Sequence, residues 1–315
     1  MLKSENPTRP ATIEELLSSD LIAKVSHLDV SSRKIFAGKL KGERRSKKRG
    51  ESVEFADHRP YAIGDDLRHI DWNIYGRLDR FFMKLFLEEE DLSLHIVIDA
   101  SASSDCGEPN KFYYMQQVAM AMGYIGLINL NRVAVTAVGL RDELVIPGGE
   151  KSIAGTVRDL RGRRRTHDLA RFLCSIAPEG STDFAQACKR IAMTRRGKGV
   201  MIVLSDFLMK EGYETGLRLL VGRGYDVFAI QTLSPQEVNP DIAGDLQLRD
   251  IEDGDMAEVT ISAPLLKKYK ENLSAYCEQF RNFCARREIT ALTIQTDTPI
   301  DTLLLDYMRK RGLLR

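Results

Sequence analysis

Side chains with oxygen donors stand directly after apolar runs of the sequence, where they could form a metal site. The first such run ends in Asp99-Ala-Ser101-Ala-Ser103. Alternate side chains of an extended segment point the same way, so these three donors can converge on one point. Carboxylate and hydroxyl oxygens without His or Cys suit Mg²⁺ or Mn²⁺. The predicted ligands of this divalent cation are Asp99, Ser101, Ser103, Thr182 and Asp206, the last two from the segments Gly-Ser-Thr-Asp and Ser-Asp.

These donors also have a simpler structural interpretation. Thr182 and Asp183 precede a segment with helical periodicity, and Ser, Thr or Asp at such a place commonly caps a helix. Asp99 could cap a helix in the same way without binding a cation. Because capping and metal binding are compatible, both interpretations remain open on the sequence alone.

The segments that would position these donors alternate between strands and helices, which predicts a doubly wound, mostly parallel, Rossmann-like α/β sheet covered on both faces. Ligands of such sheets bind at the carboxyl ends of the strands, where the donors lie. One or two short helices are predicted within 13–24, and strands at 81–87 and 92–100. Downstream we predict strands at 132–139, 143–147, 199–206, 225–232 and 288–296, a hairpin at 245–262, and helices at 111–130, 151–160, 166–176, 184–194, 210–221, 264–287 and from 299.

The three donor segments together resemble a known binding site. D-x-S-x-S after the first core strand, a G-S-T-D loop and a later strand ending in S-D are similar to the metal-ion-dependent adhesion site of von Willebrand factor A domains, and all five positions match. The resemblance implies that the two serines, the threonine and the two aspartates hold the cation, directly or through water. It also implies that an acidic side chain of a protein partner takes an open coordination position.

The block before the first core strand extends the resemblance to most of the chain. Its run G-E-R-R-S…E-F-A-D-H-R-P-Y…G-D-D-L-R-H-I-D-W is similar to the signature of the domain of unknown function 58 family. The resemblance implies an N-terminal α+β extension at 1–91, packed on a von Willebrand factor A-like domain at 92–315. It further implies an adaptor or co-chaperone that works with a MoxR-type AAA+ ATPase in the maturation or assembly of other proteins.

The charged and aromatic residues of that block have two main interpretations. They could form an ion-pair cluster that locks the extension onto the core, with the single tryptophan as anchor, because paired Arg and Asp beside an aromatic side chain suit an interdomain contact. They could instead form a partner-binding surface. A second metal cluster is the least favoured alternative, since no suitably spaced His or Lys accompanies the aspartates. The residues concerned are Arg59, Tyr61, Asp65, Asp66, Arg68, Asp71 and Trp72.

Composition limits the possible functions. The 315 residues include 46 Lys and Arg against 45 Asp and Glu, a net charge of +1, which argues against a globally basic nucleic-acid coat. Five cysteines without a C-x-x-C pair suggest reduced packing residues. The longest nearly apolar run, 118–130, is too short for a membrane helix, and the N-terminus has no signal-peptide pattern. We therefore expect a cytoplasmic protein without a membrane span.

No catalytic constellation is recognised, so we expect a binding module rather than an enzyme. The P-loop, G-x-G-x-x-G and G-x-S-x-G patterns are missing from the sequence, and a serine stands where a D-x-D phosphatase needs its second aspartate. One alternative is a metal-dependent enzyme that acts on phosphate esters or nucleic acid and uses the basic run at 33–49. That run has no interleaved aromatic residues, however, and a solvated charged segment is its simpler interpretation.

Overall fold

The computed structural model describes residues 9–32, 55–63, 65, 67, 70–86, 92–139, 153–194, 199–252 and 254–315. The described residues form two compact units. The larger unit contains 9–32 and everything from Leu92 onward, and the smaller unit contains the described residues between 55 and 86.

A six-stranded sheet forms the centre of the larger unit. Its strands are β3 (Ser93–Asp99), β4 (Arg132–Val138), β5 (Ile153–Leu160), β6 (Gly199–Ser205), β7 (Asp226–Leu233) and β10 (Thr290–Gln295). Their order across the sheet is β10-β7-β6-β3-β4-β5. All neighbouring pairs are parallel except β4 and β5, which are antiparallel. The predicted doubly wound, mostly parallel sheet is thus confirmed.

Helices cover both faces of this sheet because the buried strands are apolar on both sides. The helices concerned are α1 (Ile13–Leu16), α2 (Ser19–Val25), α4 (Lys111–Ile128), α5 (Thr166–Ser175), α6 (Phe184–Thr194), α7 (Glu214–Gly222) and α9 (Ala263–Ala285). One core contains alternate residues of β3 such as Leu94 and Ile96 and packs against α1, α2, α4 and α5. The other core contains Val97 and packs against α6, α7 and α9.

Shorter elements complete the larger unit. A 3₁₀ turn (Ala102–Ser104) follows β3, another (Arg163–Arg165) precedes α5, and helix α8 (Pro235–Val238) follows β7. Strands β8 (Gly244–Arg249) and β9 (Met256–Ile261) pair as an antiparallel hairpin. The chain ends in α10 (Ile300–Thr302) and a π-helical segment (Leu303–Met308). All five cysteines are free.

The smaller unit is a β-hairpin with one helix in its connection. Strand β1 (Phe55–Pro60) pairs antiparallel with β2 (Phe82–Phe86). Helix α3 (Trp72–Leu78) lies between them in the sequence and is capped by Asp71, whose carboxylate accepts hydrogen bonds from the backbone N–H groups of Asn73 and Ile74.

The first two helices belong to the larger unit. The sequence-based division at residue 91 assigns them to the extension, but Leu16, Leu17, Leu21 and Val25 are buried in the core that contains α4 and β3. The described residues that form a separate unit lie between 55 and 86, and the predicted domain boundary at residue 91 stays a prediction. The packing of the extension on the larger unit stays a prediction.

Most predicted elements are confirmed, with one clear error. The segment predicted as a helix at 151–160 is the edge strand β5, which pairs with β4 instead of forming a helix of its own. Its β-branched Ile153, Thr156 and Val157 favour a strand, and tertiary pairing outweighs a weak helical periodicity. The strand predicted at 143–147 lies outside the described residues.

Helix α4 approaches the sheet closely at a glycine, which generates a stability prediction. A Cβ atom at Gly126 would lie 2.7 Å from Val133 Cγ2 and 3.0 Å from Leu94 Cδ2, whereas one at Gly222 in α7 would meet nothing within 4 Å. We expect Gly126→Ala to lower the free energy of unfolding by about 1–3 kcal/mol through overpacking. The control Gly222→Ala should be neutral or slightly stabilising. Urea unfolding followed by circular dichroism measures both, and equal stabilities for the two variants would contradict the prediction.

Candidate metal centre

The predicted donors lie where the strand order of the sheet reverses. Strand β3 is hydrogen-bonded to both β4 and β6, so the chain proceeds toward one edge after β3 and toward the other after β6. In doubly wound sheets, ligands bind in the crevice outside the carboxyl ends of the strands at this switch point. Asp99 ends β3 and Asp206 directly follows β6, which places two carboxylates at that crevice.

Asp99 is the centre of the site. It is 3% exposed, and its Oδ1 accepts hydrogen bonds from the Ser101 backbone N–H at 3.1 Å and from the Thr182 hydroxyl at 3.0 Å. Its Oδ2 accepts from the Ser205 hydroxyl at 2.7 Å. Both carboxylate oxygens are therefore oriented by donors from three different segments of the chain.

The two loops that carry the hydroxyls are joined through their backbones. The Ala102 N–H donates to the Gly180 carbonyl at 2.8 Å, and the Glu179 N–H donates to the Ala100 carbonyl at 3.0 Å. These bonds bring Thr182 to Asp99, which lies 83 positions earlier in the sequence. The structure thus brings the predicted G-S-T-D and D-x-S-x-S segments together.

The serine hydroxyls form a cluster beside Asp99. Ser101 Oγ lies 2.9 Å from Ser103 Oγ and 3.3 Å from Ser104 Oγ. Ser101 and Ser104 are buried, while Ser103 is partly exposed. The site therefore has a closed inner wall and an accessible outer side.

The capping interpretation holds for Asp183. Its Oδ1 accepts a hydrogen bond at 2.8 Å from the backbone N–H of Gln186 in the first turn of α6. Thr182, one residue earlier, donates its hydroxyl to Asp99 instead. Helix capping and the assembly of the site thus use adjacent residues without competing.

Asp206 is bound to a buried lysine. The Nζ atom of Lys111 lies 2.7 Å from Asp206 Oδ2 and 2.9 Å from Glu237 Oε1, and Lys111 is 0% exposed. The other oxygen of Asp206 accepts from the Leu208 N–H at 2.9 Å. Asp206 therefore faces the site with part of its charge already neutralised by the protein.

Burial and neighbouring charges shift the pKa values of Asp99 and Lys111. Burial raises the pKa of Asp99, and the nearby charge of Asp206 raises it further, although hydrogen bonds from Ser205 and Ser101 act in the opposite direction. Burial alone lowers the pKa of Lys111, but the charges of Asp206 and Glu237 outweigh burial and place it above its usual range. Lys111 is therefore charged, and ionised Asp99 lacks full compensation.

The donor set fits a hard divalent cation. Its atoms are carboxylate and hydroxyl oxygens, which match Mg²⁺ or Mn²⁺, and the repulsion between Asp99 and Asp206 is what a cation would relieve. Within the described residues, no group of three or more His, Cys, Asp or Glu side chains is placed to hold a metal ion. The donors beyond the two carboxylates are accordingly hydroxyls.

The residues predicted to form a partner or interdomain surface lie in the smaller unit. Arg59 pairs with Asp65 through two bonds of 2.7 Å, and the hydrogen bond from Arg59 lowers the pKa of Asp65. Trp72 is 62% exposed, with its ring 6.4 Å from that of Phe81. The Tyr61 ring also packs edge-on against Phe81, and Asp71 caps α3 and lies 2.9 Å from His58 Nε2. Asp66 and Arg68 lie outside the described residues.

Three residues of the site were not identified from the sequence. No sequence pattern marked Lys111 as the partner of Asp206 or Ser205 as the partner of Asp99, because the two members of each pair lie 95 and 106 positions apart, respectively. Glu237 belongs to a capping box with Ser234, and the Ser-Pro-Gln-Glu pattern could have shown this role. Its contact with Lys111 could not have been read from that pattern.

Sequence comparison identifies the family. The family model described as "Protein of unknown function DUF58" matches residues 57–279, and the chain belongs to this family. It is similar to uncharacterised proteins of Mycobacterium tuberculosis and Mycobacterium bovis, each 25% identical over 301 residues that cover 93% of this chain and 91% of theirs. An uncharacterised protein of Mycobacterium avium is 30% identical over 159 residues, covering 49% of this chain and 93% of that protein.

Solved structures give distant likenesses. The conserved hypothetical protein BatB from Bacteroides thetaiotaomicron has a TM-score of 0.41 at 10% identity, covering 70% of this chain and 98% of its own. Manganese-loaded TRAP protein from Plasmodium vivax has a TM-score of 0.31 at 14% identity, covering 45% and 57%. The fold is von Willebrand factor A-like, as the strand order β10-β7-β6-β3-β4-β5 with its antiparallel edge strand β5 indicates. Among the described residues, none of the helices combines the length and hydropathy needed to cross a membrane.

The buried lysine generates the prediction for this site. Replacing Lys111 by Met leaves Asp206 and Glu237 buried without their shared ammonium, so we expect a loss of about 3–5 kcal/mol in the free energy of unfolding. The control Lys189→Met removes an exposed lysine of α6 and should change stability by less than about 1 kcal/mol. Urea unfolding in the presence of chelator measures both, and a Lys111→Met variant as stable as the control would refute this role.

Proposed function

We propose that this chain is a protein-binding module that depends on a divalent cation. Asp99, Ser101, Ser103, Thr182 and Asp206 would hold Mg²⁺ or Mn²⁺, and the cation would recognise an acidic side chain of a protein partner. The observation that carries the proposal is the convergence of the Asp99 carboxylate with the Thr182 and Ser101 donors at the switch point of the sheet.

The geometry favours binding over catalysis. The hydroxyls of Ser101 and Ser103 bond to each other, the carboxylate of Asp99 is held by three donors, and that of Asp206 is paired with Lys111. A cation held by two carboxylates and neutral hydroxyls has its charge balanced while retaining coordination positions for an incoming carboxylate. The site thus has the chemistry to recognise an acidic group without transforming it.

The biological setting is inferred from the family resemblance. We propose that the module serves as an adaptor or co-chaperone for a MoxR-type AAA+ ATPase during the maturation or assembly of other proteins. The resemblance of the G-D-D-x-R-x-I-D-W block and the membership in the DUF58 family support this setting.

Cation binding is the first expected property. Isothermal titration calorimetry with Mg²⁺ or Mn²⁺ should detect one site in the wild type and a loss of affinity of about 10-fold or more in Thr182→Ala, which removes a single hydroxyl. Asp99→Ala should abolish binding but also leaves three donors without their acceptor, so Thr182→Ala separates ligation from folding. The control Ser175→Ala removes an exposed hydroxyl of α5 and should bind as the wild type does.

Partner capture is the second expected property. Purified chain should retain a MoxR-type AAA+ ATPase from a cell lysate in Mg²⁺ and release it in chelator, and Thr182→Ala should retain much less. Mass spectrometry identifies the bound proteins. An identical set of proteins with Mg²⁺, with chelator and with Thr182→Ala would refute cation-dependent binding. Hydrolysis of a generic phosphodiester or phosphomonoester that is lost in Thr182→Ala would instead support the alternative enzyme.

The aromatic cluster of the smaller unit is a proposed second contact. Trp72, with its exposed ring, and the Arg59–Asp65 pair would form a partner surface that works independently of the cation. We expect Trp72→Ala to reduce capture of the ATPase with little change in melting temperature, because its side chain is largely exposed. The control Met193→Ala removes an exposed apolar side chain from α6. A large fall in melting temperature for Trp72→Ala would favour an interdomain lock.

A further inference from the structure

Strand β10 lies at one edge of the six-stranded sheet. Among the described strands it pairs with β7 alone, so its other side presents backbone N–H and C=O groups that no described strand takes up. Its pairing with β7 keeps one parallel register from Thr290, opposite Phe228, to Gln295, opposite Leu233. A regular, open edge of this kind is a template for a further extended segment.

A groove of about 580 Å³ runs along this edge. Thr293, Ile294 and Gln295 are consecutive residues of β10, and all three line the groove. Because successive side chains of a strand point to opposite faces of the sheet, a cavity on one face would meet only every second residue. The groove therefore reaches both faces of β10, which places it against the edge of the strand.

Helical segments form the two walls of the groove. One wall includes Tyr307 of the π-helical segment, in which Leu304 is buried in the same core as Ile96. The other wall is a face of α9, in which Phe280 is buried in the core that contains Val97. The walls thus stand on opposite faces of the sheet, with the edge of β10 between them. The α9 residues that line the groove are Lys270, Leu273, Ser274, Cys277 and Arg281.

The floor of the groove is held in place from within the sheet. The Thr293 hydroxyl donates to Gln231 Oε1 at 3.0 Å, and Gln231 Nε2 donates to the Asp206 carbonyl at 3.1 Å. Gln231 is 0% exposed. Because a fully buried side chain fixes this part of β10, the strand can receive a partner without first becoming ordered, and such preorganisation favours binding.

The α9 wall carries positive charge. Lys270 and Arg281 are exposed, and within the described part of the chain neither forms an ion pair, while the acidic residue of the lining is Asp297. The two cations lie about three helical turns, or about 16 Å, apart on one face of α9. An extended chain covers this distance in about five residues. The groove is therefore suited to an extended segment with more than one acidic side chain.

We propose that this groove binds an extended acidic segment of a partner protein, which adds to β10 as a further strand of the sheet. Backbone hydrogen bonds to β10 supply the attachment, and the cations of α9 select for acidic side chains. Strand β10 is separated from β3, which carries Asp99, by β7 and β6. The inference goes beyond the proposed function and does not depend on a bound cation.

The test uses a fluorescein-labelled octapeptide of alternating threonine and glutamate. Fluorescence anisotropy measures its binding to the full chain in the presence of chelator, which prevents a cation-dependent contribution from the candidate metal centre. Two further octapeptides are N-methylated, one at the threonines and the other at the glutamates, so that each lacks the N–H groups of one strand edge. The variants are Lys270→Gln and Arg281→Gln. The matched control is Lys268→Gln, an exposed lysine of α9 that does not line the groove.

The expected results separate the charge of the groove from its strand pairing. The unmodified octapeptide should bind saturably, and Lys270→Gln and Arg281→Gln should each weaken binding about 3- to 5-fold, as expected for the loss of an exposed ion pair. Lys268→Gln should bind as the wild type does. One N-methylated octapeptide should lose binding and the other should retain it, because alternate N–H groups of an added strand point toward β10.

Each other outcome overturns the inference. Absence of binding would do so, and equal weakening by Lys268→Gln would reduce the effect to general surface charge. Equal binding of both N-methylated octapeptides would show that no strand is added. A dimer of the chain in light scattering that the octapeptide converts to a monomer would identify a second copy as the occupant in place of a partner protein. None of these results affects the proposed cation site, because chelator is present throughout.

Discussion

The burial of like charges at one edge of the sheet is the constraint on which the candidate site depends. Asp99 and Asp206 are each 3% exposed, and such groups are costly unless they are paired or hydrogen-bonded. The chain meets this cost unequally. Asp206 has the ammonium of Lys111, whereas the donors that Asp99 has among the described residues are neutral. The uncompensated half of the site is therefore the half built around Asp99.

This inequality determines what the site can bind. Lys111 is fixed by Asp206 and by Glu237, which is itself held by Ser234 at the start of α8. The Lys111 ammonium is held between Asp206 and Glu237 and is a fixed part of the protein. The negative charge of Asp99 is thus available to a second positive charge. The resulting centre differs from a simple acidic cluster, because part of its charge is balanced from within. An exchangeable cation would balance the remaining negative charge.

The sequence was sufficient for the sheet and for the donors at strand ends. Asp99 and Asp206 could be identified because buried parallel strands are apolar runs with abrupt ends, and the order of a doubly wound sheet brings those ends together. The contacts of Lys111, Ser205 and Glu237 could not be predicted, because they join segments far apart in the chain. Strand β5 was misassigned for a related reason. An edge strand is defined by its partner β4, and its own pattern of apolar residues is weak.

The reversed strand β5 also affects how this molecule can associate with others. Its pairing with β4 changes register twice, between Val133 and Val135 and between Ala137 and Val138, and Asp159 adopts a left-handed backbone conformation. Bulges of this kind increase the local twist, and a twisted, irregular edge is a poor template for adding a strand from another chain. The sheet is thereby protected on this side from edge-to-edge aggregation. Specific association with other chains therefore depends on side-chain contacts. Side chains can discriminate between partners, whereas the backbone groups of an open strand edge cannot.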